Sequence, residues 1–300
     1  MKKFEGVIVP LVTPIKASGE IDKDCVRKLV RHVLANGADI VMPVAGTGEG
    51  TGLSPKQRRD TVETCVDEVQ GKCPVVPGSI GPGLGDRIDE TLAYKKMGAD
   101  GVMILTPYYA DFAEQDDLVE YFMHFLDATG MPLMIENLPT RTNNNMLPAT
   151  YLKLAQKTPL FNSVKECILN TAQYSDAISL VGDRVSILSG LEGMLSTALL
   201  LGAKGGVMAA ANLFPQIFRK LIDAVQKKDI DRVNKIHYEL IMPINNVIFA
   251  SPHPGPLRVA LKHIGIDTGF SVRPVKEPPA ELQKKIVSVI DDVRTKLETF

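Results

Sequence analysis

Residues 164–166 read Val-Lys-Glu at the end of an apolar, β-branched run, and a lysine that closes a core strand needs a reason, because lysine is seldom buried without a partner. Two readings stand open. Lys165 is a rim residue whose stem is buried while its head reaches water, or it is a Schiff-base nucleophile. The second requires a neutral amine, so its pKa must fall from ~10.4 toward ~7–8, worth about 4 kcal/mol of burial or local charge.

Other reactive residues also follow short apolar runs. Glu136-Asn137-Leu138-Pro139-Thr140-Arg141 sets a carboxylate and a guanidinium five apart, either a surface ion pair or an acid/base beside a carboxylate clamp. Thr106-Pro107-Tyr108-Tyr109 offers phenols for rim packing or for a proton relay. Ala45-Gly46-Thr47-Gly48-Glu49-Gly50-Thr51-Gly52 can converge backbone N–H groups and a hydroxyl on an anion, or can simply turn the chain. It lacks the Gly-Lys-Ser/Thr ending of a phosphate-binding loop. Ser189-Gly190 closes a further run. His32 lies in a helical pattern and His124, His237, His253 and His263 stand alone, so core or surface roles are expected for all five. The cysteines (Cys25, Cys65, Cys73, Cys167) are scattered without a CxxC or a nearby histidine pair, which points to buried or idle thiols rather than to a metal site or a disulfide framework.

The elements that must position these groups repeat. Near-continuous apolar runs, of the kind buried on both faces, fall at 6–14, 38–45, 74–80, 101–107, 132–138, 161–165, 185–189 and 206–211. Helical patterns such as 21–35, 55–69, 86–97 and 116–128 lie between them. Ser54, Pro55 and Gln57 spell a capping box with proline at the first helical position. Eight strand-then-helix units predict a parallel α/β fold closed as a (β/α)8 TIM barrel. The open doubly wound alternative lacks its GxGxxG turn in the first unit. After Lys227 the strands stop, and 229–249, 256–264 and 279–299 read as helices. The expected organisation is a barrel over 1–227 and a C-terminal helical extension over 228–300 packed on it. In such a barrel function sits where the strands end, which is where the reactive residues fall.

The 300 residues carry 34 Lys and Arg against 35 Asp and Glu, a formal net charge of −1, with 45% hydrophobic and 23% charged residues. That balance gives no electrostatic case for nucleic acid or an anionic membrane, and no apolar run approaches the ~18 residues of a membrane span. The opening Met-Lys-Lys and the apolar residues after it imitate a signal peptide. Pro10 and Pro14 interrupt the run, and no A-x-A-like site follows, so it is read as the first strand of a cytoplasmic protein.

Taken in order, the motifs resemble the dihydrodipicolinate synthase / N-acetylneuraminate lyase family of class I aldolases along nearly the whole chain. They are Gly-Val-x-x-Pro-x-x-Thr-Pro at 6–14, Gly-Thr-Gly-Glu at 46–49 with Leu53-Ser54, Pro-Tyr-Tyr at 107–109, Asn-Leu-Pro-Thr-Arg-Thr at 137–142, Val-Lys-Glu at 164–166 and Ser-Gly at 189–190. The resemblance implies a lyase in which Lys165 forms an imine with pyruvate or a related 2-oxo acid, without a separate cofactor or metal. It implies that Gly46, Thr47 and the backbone beside them hold the substrate carboxylate, with Ser189 and Gly190 also in the substrate-binding set. Arg141 would take a second substrate's carboxylate, and the Val207 carbonyl would face the imine. Tyr109 would enter a neighbouring subunit's proton relay, which implies a dimer, commonly within a tetramer.

Two departures bear on the chemistry. The family's Gly-Thr-Thr-Gly-Glu or Gly-Ser-Thr-Gly-Glu has Gly46 at its first hydroxyl position, and its Tyr-Asn-x-Pro has become Glu136-Asn137-Leu138-Pro139. Pro55 and Arg58 also stand where some lysine-regulated members have histidines. An ionised Glu136 would raise the pKa of Lys165 and oppose attack, yet stabilise the iminium once formed. A protonated Glu136 would donate as a phenol does. A third arrangement pairs Glu136 with Arg141 and leaves the site altered. The expected activities are therefore dihydrodipicolinate synthase-like, another 2-oxo acid aldolase or dehydratase acting on a sugar acid, or a 2-oxo-acid-binding paralogue with little turnover.

Overall fold

A computed structural model describes residues 3–109 and 114–300. Short strands alternate with helices through the first two-thirds of the chain: β1 (Gly6–Pro10), β2 (Ile40–Met42), β3 (Val102–Leu105), β4 (Leu133–Asn137), β5 (Phe161–Glu166), β6 (Ser186–Ser189) and β7 (Gly205–Val207). All ladders are parallel, in the order β2-β1-β7-β6-β5-β4-β3.

The run at 74–80, expected as a regular strand, is instead an irregular segment that touches both edges of the sheet. Pro74 and Pro77 have no N–H to donate, so a continuous ladder cannot form there. The remaining groups bond to both sides. Val76 N–H donates to Val41 O (2.9 Å) and Gly78 N–H to Pro43 O (3.0 Å), while Ser79 N–H donates to Met103 O (2.8 Å) and Met103 N–H to Pro77 O (2.9 Å). Single parallel bridges pair Val41 with Val75 and Gly78 with Met103. The curled sheet thus has its two edge strands, β2 and β3, joined through this segment.

The pleat sorts side chains by alternation. Ile8, Ile40, Met42, Val76, Met103, Met134, Leu188 and Val207 form one buried cluster inside the curl. Their strand neighbours, among them Val7, Val9, Val41, Ile104, Ile135, Val164 and Ile187, pack into the larger core shared with the helices. Continuing that alternation to the strand ends sends Glu136 and Lys165 inward, and Asn137, Glu166 and Ser189 toward the helices.

Helices follow the expected patterns closely, including Pro55–Val69 with both halves of its capping box formed by Ser54 and Gln57. The last part of the chain is helical: Ile230–Ile236, His237–Ile241 and Met242–Ile248 run on from one another, and Gly255–His263 and Ala280–Leu297 follow. No helix among the described residues is long and apolar enough to cross a membrane.

Candidate active site

Glu136 and Lys165 are direct cross-strand partners in the β4–β5 register. Their side chains meet: Lys165 Nζ lies 2.5 Å from Glu136 Oε1, and both are buried, at 8% and 4% exposure. Burial alone pulls the ammonium pKa down, but the Glu136 charge, with Cys167 and Glu192 beside it, outweighs this and holds Lys165 above its ordinary value. Glu136 is paired with Lys165 and not with Arg141, whose side chain is exposed on the short helix Pro139–Thr142. Both the surface-pair and the Arg141-neutralised arrangements are therefore overturned, because the pleat turns Glu136 inward.

Three groups close around the pair. Cys167 Sγ stands 3.8 Å from Glu136 Oε1, and burial pushes its thiol pKa up. Glu192 is buried with Oε1 accepting from Ala210 N–H (3.1 Å); burial raises its pKa against those backbone bonds and the Lys165 charge. Gly190 lies against the lysine stem: a Cβ there would collide with Cys167 Sγ and stand 3.0 Å from both Cγ and Cε of Lys165. Its glycine identity is what allows the stem to lie flat.

Ser189 is not turned toward the Lys165–Glu136 pair. Its Oγ donates to Leu191 O (3.0 Å) and accepts from Tyr174 OH (3.4 Å) on the helix side. Glu166, beside Lys165 in sequence, faces the same outer layer, where Tyr151 and Asn137 donate to it; burial lifts its pKa to about 7. Val207 is buried inside the curl on β7.

The glycine-rich loop after β2 is fixed from the C-terminal helices. Glu49 Oε2 accepts from Arg258, and its Oε1 from Val272 N–H (2.7 Å); Arg258 also donates to Thr13 O and Thr268 O, each at 2.8 Å. Thr47 Oγ1 is 3.2 Å from His253 Nε2. The ring of His253 stacks on Phe249 (4.9 Å, 27°), and burial lowers its pKa to about 4, with Arg141, Lys165 and Arg258 adding positive charge in the same direction. A Cβ on Gly46 would meet nothing within 4 Å.

Tyr109 is fully exposed, with φ of 74°, and stands apart from the buried Lys165–Glu136 pair of its own chain. Its neighbour Tyr108 donates to Ile80 O (2.9 Å) and lines, with Pro55, Arg58, Arg87 and Glu90, a separate cavity of about 380 Å³. There Arg58 is already committed to Glu90 and to Leu53 O. No cluster of three or more His, Cys, Asp or Glu side chains that could hold a metal ion occurs among the described residues.

Sequence reasoning missed His253, Arg258 and Glu192. His253 stands in Pro252-His253-Pro254-Gly255-Pro256, a rigid loop far from every strand end, and only that proline framing marks it. A core or surface role is expected for it from the sequence; the structure packs its ring on Phe249 and brings Nε2 against Thr47 of the glycine-rich loop.

A curled parallel α/β sheet with a buried lysine near the end of one strand is the architecture of the class I aldolases. The model of the Dihydrodipicolinate synthetase family matches residues 3–293, and the chain belongs to that family, whose lyases work through a lysine Schiff base rather than a cofactor. It is 34% identical over 262 residues to the 4-hydroxy-tetrahydrodipicolinate synthase of Thermodesulfovibrio yellowstonii, covering 87% of this chain and 89% of that one. Identity to the enzyme of the same name from Geotalea uraniireducens is 31% over 290 residues, or 96% and 98% of the two chains. The crystal structure of dihydrodipicolinate synthase from Aquifex aeolicus superposes with a TM-score of 0.91 at 29% identity, covering 97% of this chain and 98% of that one.

Proposed function

We propose that this chain is a cytoplasmic Schiff-base lyase in which Lys165 condenses with pyruvate or a related 2-oxo acid and Glu136 moves the protons. The observation that carries the reading is the 2.5 Å contact between Lys165 Nζ and Glu136 Oε1 inside the curl. At that distance the carboxylate can take the ammonium proton directly, against the raised lysine pKa, and the minor free-amine form attacks the C2 carbonyl. The resulting carbinolamine loses its hydroxyl with the proton held by Glu136, releasing water and leaving an iminium beside a carboxylate that stabilises it. The same carboxylate then removes a C3 proton to give the enamine, and returns it to the alkoxide formed when the enamine adds to an aldehyde. One group thus serves each transfer, in place of a phenol.

Thr47 and the Gly46 backbone would receive the substrate carboxylate, Gly190 and the Val207 carbonyl would flank the imine, and Arg141 would take a carboxylate on the second substrate. Its exposure and lack of an ion pair among the described residues suit that use. Tyr109 would act in a neighbouring copy within a dimer or tetramer, in keeping with its full exposure and left-handed backbone. Residues 1–227 would form a (β/α)8 barrel, with the 74–80 segment as its irregular third strand, and 228–300 its helical extension.

Borohydride with pyruvate should add a reduced adduct to Lys165 by intact mass, and Lys165→Ala should take none. The absence of any adduct with a panel of 2-oxo acids would overturn the proposal. A coupled assay with pyruvate and aspartate semialdehyde then separates synthase activity from cleavage or dehydration of a 2-oxo sugar acid. The raised lysine pKa favours a second reading, a 2-oxo-acid-binding paralogue with little turnover. Thermal stabilisation by a 2-oxo acid with neither adduct nor product would select it.

A further inference from the structure

His253 comes from the loop before the helix Gly255–His263, yet its Nε2 lies 3.2 Å from the Thr47 hydroxyl, on the opposite end of the chain. The imidazole is packed beside that contact. Phe249 stacks against its face, while Nδ1 is buried without a hydrogen-bond partner, so the Thr47 contact is the ring's polar anchor among the described residues. Thr47 needs such a partner. The position before it is Gly46, which contributes no hydroxyl and leaves open space where a side chain would stand. A hydroxyl on a loop, with nothing to fix its rotor, directs its hydrogen bond poorly; the imidazole supplies the missing constraint.

We infer that His253 is a positioning residue for the carboxylate end of a 2-oxo acid, its Nε2 fixing the Thr47 hydroxyl at the place where that carboxylate docks. The inference rests on the proposed imine chemistry at Lys165 and adds to it the means by which the substrate is oriented. The ring is neutral at ordinary pH, because burial and three surrounding cations disfavour its charged form. It therefore orients the hydroxyl without adding another cation near Lys165.

The test measures the pyruvate concentration that gives half-maximal borohydride trapping at Lys165. His253→Phe keeps a ring against Phe249 but removes the nitrogen, and should raise that concentration about three- to tenfold, the effect of losing one neutral hydrogen bond. Trapping at saturating pyruvate should stay complete, which also reports that the variant is folded. His253→Gln places an amide where Nε2 stood and should restore the original value. In a Thr47→Val background, His253→Phe should have no further effect, because the contact it removes is already gone. An unmoved half-saturation in His253→Phe, or an undiminished effect in the Thr47→Val background, overturns the role of His253 while leaving the imine reading intact. Absence of any adduct in the unsubstituted protein overturns both.

Discussion

Gly190 and Lys165 are in contact through the absence of a side chain: a Cβ on Gly190 would stand 3.0 Å from two carbons of the lysine stem and collide with Cys167. Gly190→Ala should therefore displace the amine. Overpacking of this kind costs about 1–3 kcal/mol, so the variant should remain folded by circular dichroism while its trapping by borohydride falls sharply. Trapping at the unsubstituted rate would show that the stem has room to move.

Glu136→Gln keeps the shape of the side chain and removes its charge. Turnover should fall by ~10²–10⁴, the usual effect of losing a general acid/base. Lys165 loses the charge that raises its pKa, so imine trapping should begin at lower pH than in the unsubstituted protein. Comparing the trapping rate with turnover across pH tests both statements at once. Unchanged turnover would remove Glu136 from the chemistry, and Glu136→Tyr offers the converse check, since it returns a phenol to the site.

Glu166 predicts a pH dependence of stability that is independent of catalysis. Its pKa rises from 4.5 to about 7 on folding, through burial among Tyr151, Asn137 and Gln173. An acid with a higher folded pKa binds its proton more tightly in the native state, so its contribution favours folding at low pH. The contribution declines as pH rises through the window from about 4.5 to 7 and is constant above it. The full change is on the order of 3 kcal/mol. Urea denaturation across this window should show a shallower loss of stability in Glu166→Gln; parallel curves for the two proteins would contradict the assignment.

Arg258 joins Glu49 to the carbonyls of Thr13 and Thr268 in one buried cluster. Arg258→Met leaves the Glu49 carboxylate buried without its partner, which typically costs about 3–5 kcal/mol. Arg258→Lys keeps a charge for Glu49 but should still destabilise, because an ammonium cannot reproduce the planar fork that reaches Glu49, Thr13 O, Thr268 O and Ser271 Oγ. Chemical denaturation midpoints decide the point.

Much of this arrangement can be read from residues alone, for an identifiable reason. Strands buried on both faces leave long apolar signatures, and the pleat fixes which residue of a pair such as Lys165 and Glu166 looks inward once Val164 is placed in the outer core. The 74–80 run misled for the same reason in reverse: its apolar residues report burial, while Pro74 and Pro77 control whether a ladder can form. The partner of Glu136 was undetermined because Arg141, five residues away, competes on sequence distance with Lys165, twenty-nine away, and only strand register decides. His253 and Arg258 left no periodic trace at all. Their roles arise from where the helical tail returns, which local pattern does not encode.

The tie between Glu49 and Arg258 spans 209 positions, and this gives the site an order of assembly. On a ribosome the glycine-rich loop emerges early and stays without its anchors while most of the remaining chain is made. At ~5–20 residues per second that interval is roughly 10–40 s. Thr47 and Glu49 gain these contacts only when His253 and Arg258 arrive, so a nascent chain can hold Lys165 and Glu136 on neighbouring strands before its glycine-rich loop is anchored. That anchoring is among the last contacts the growing polypeptide makes.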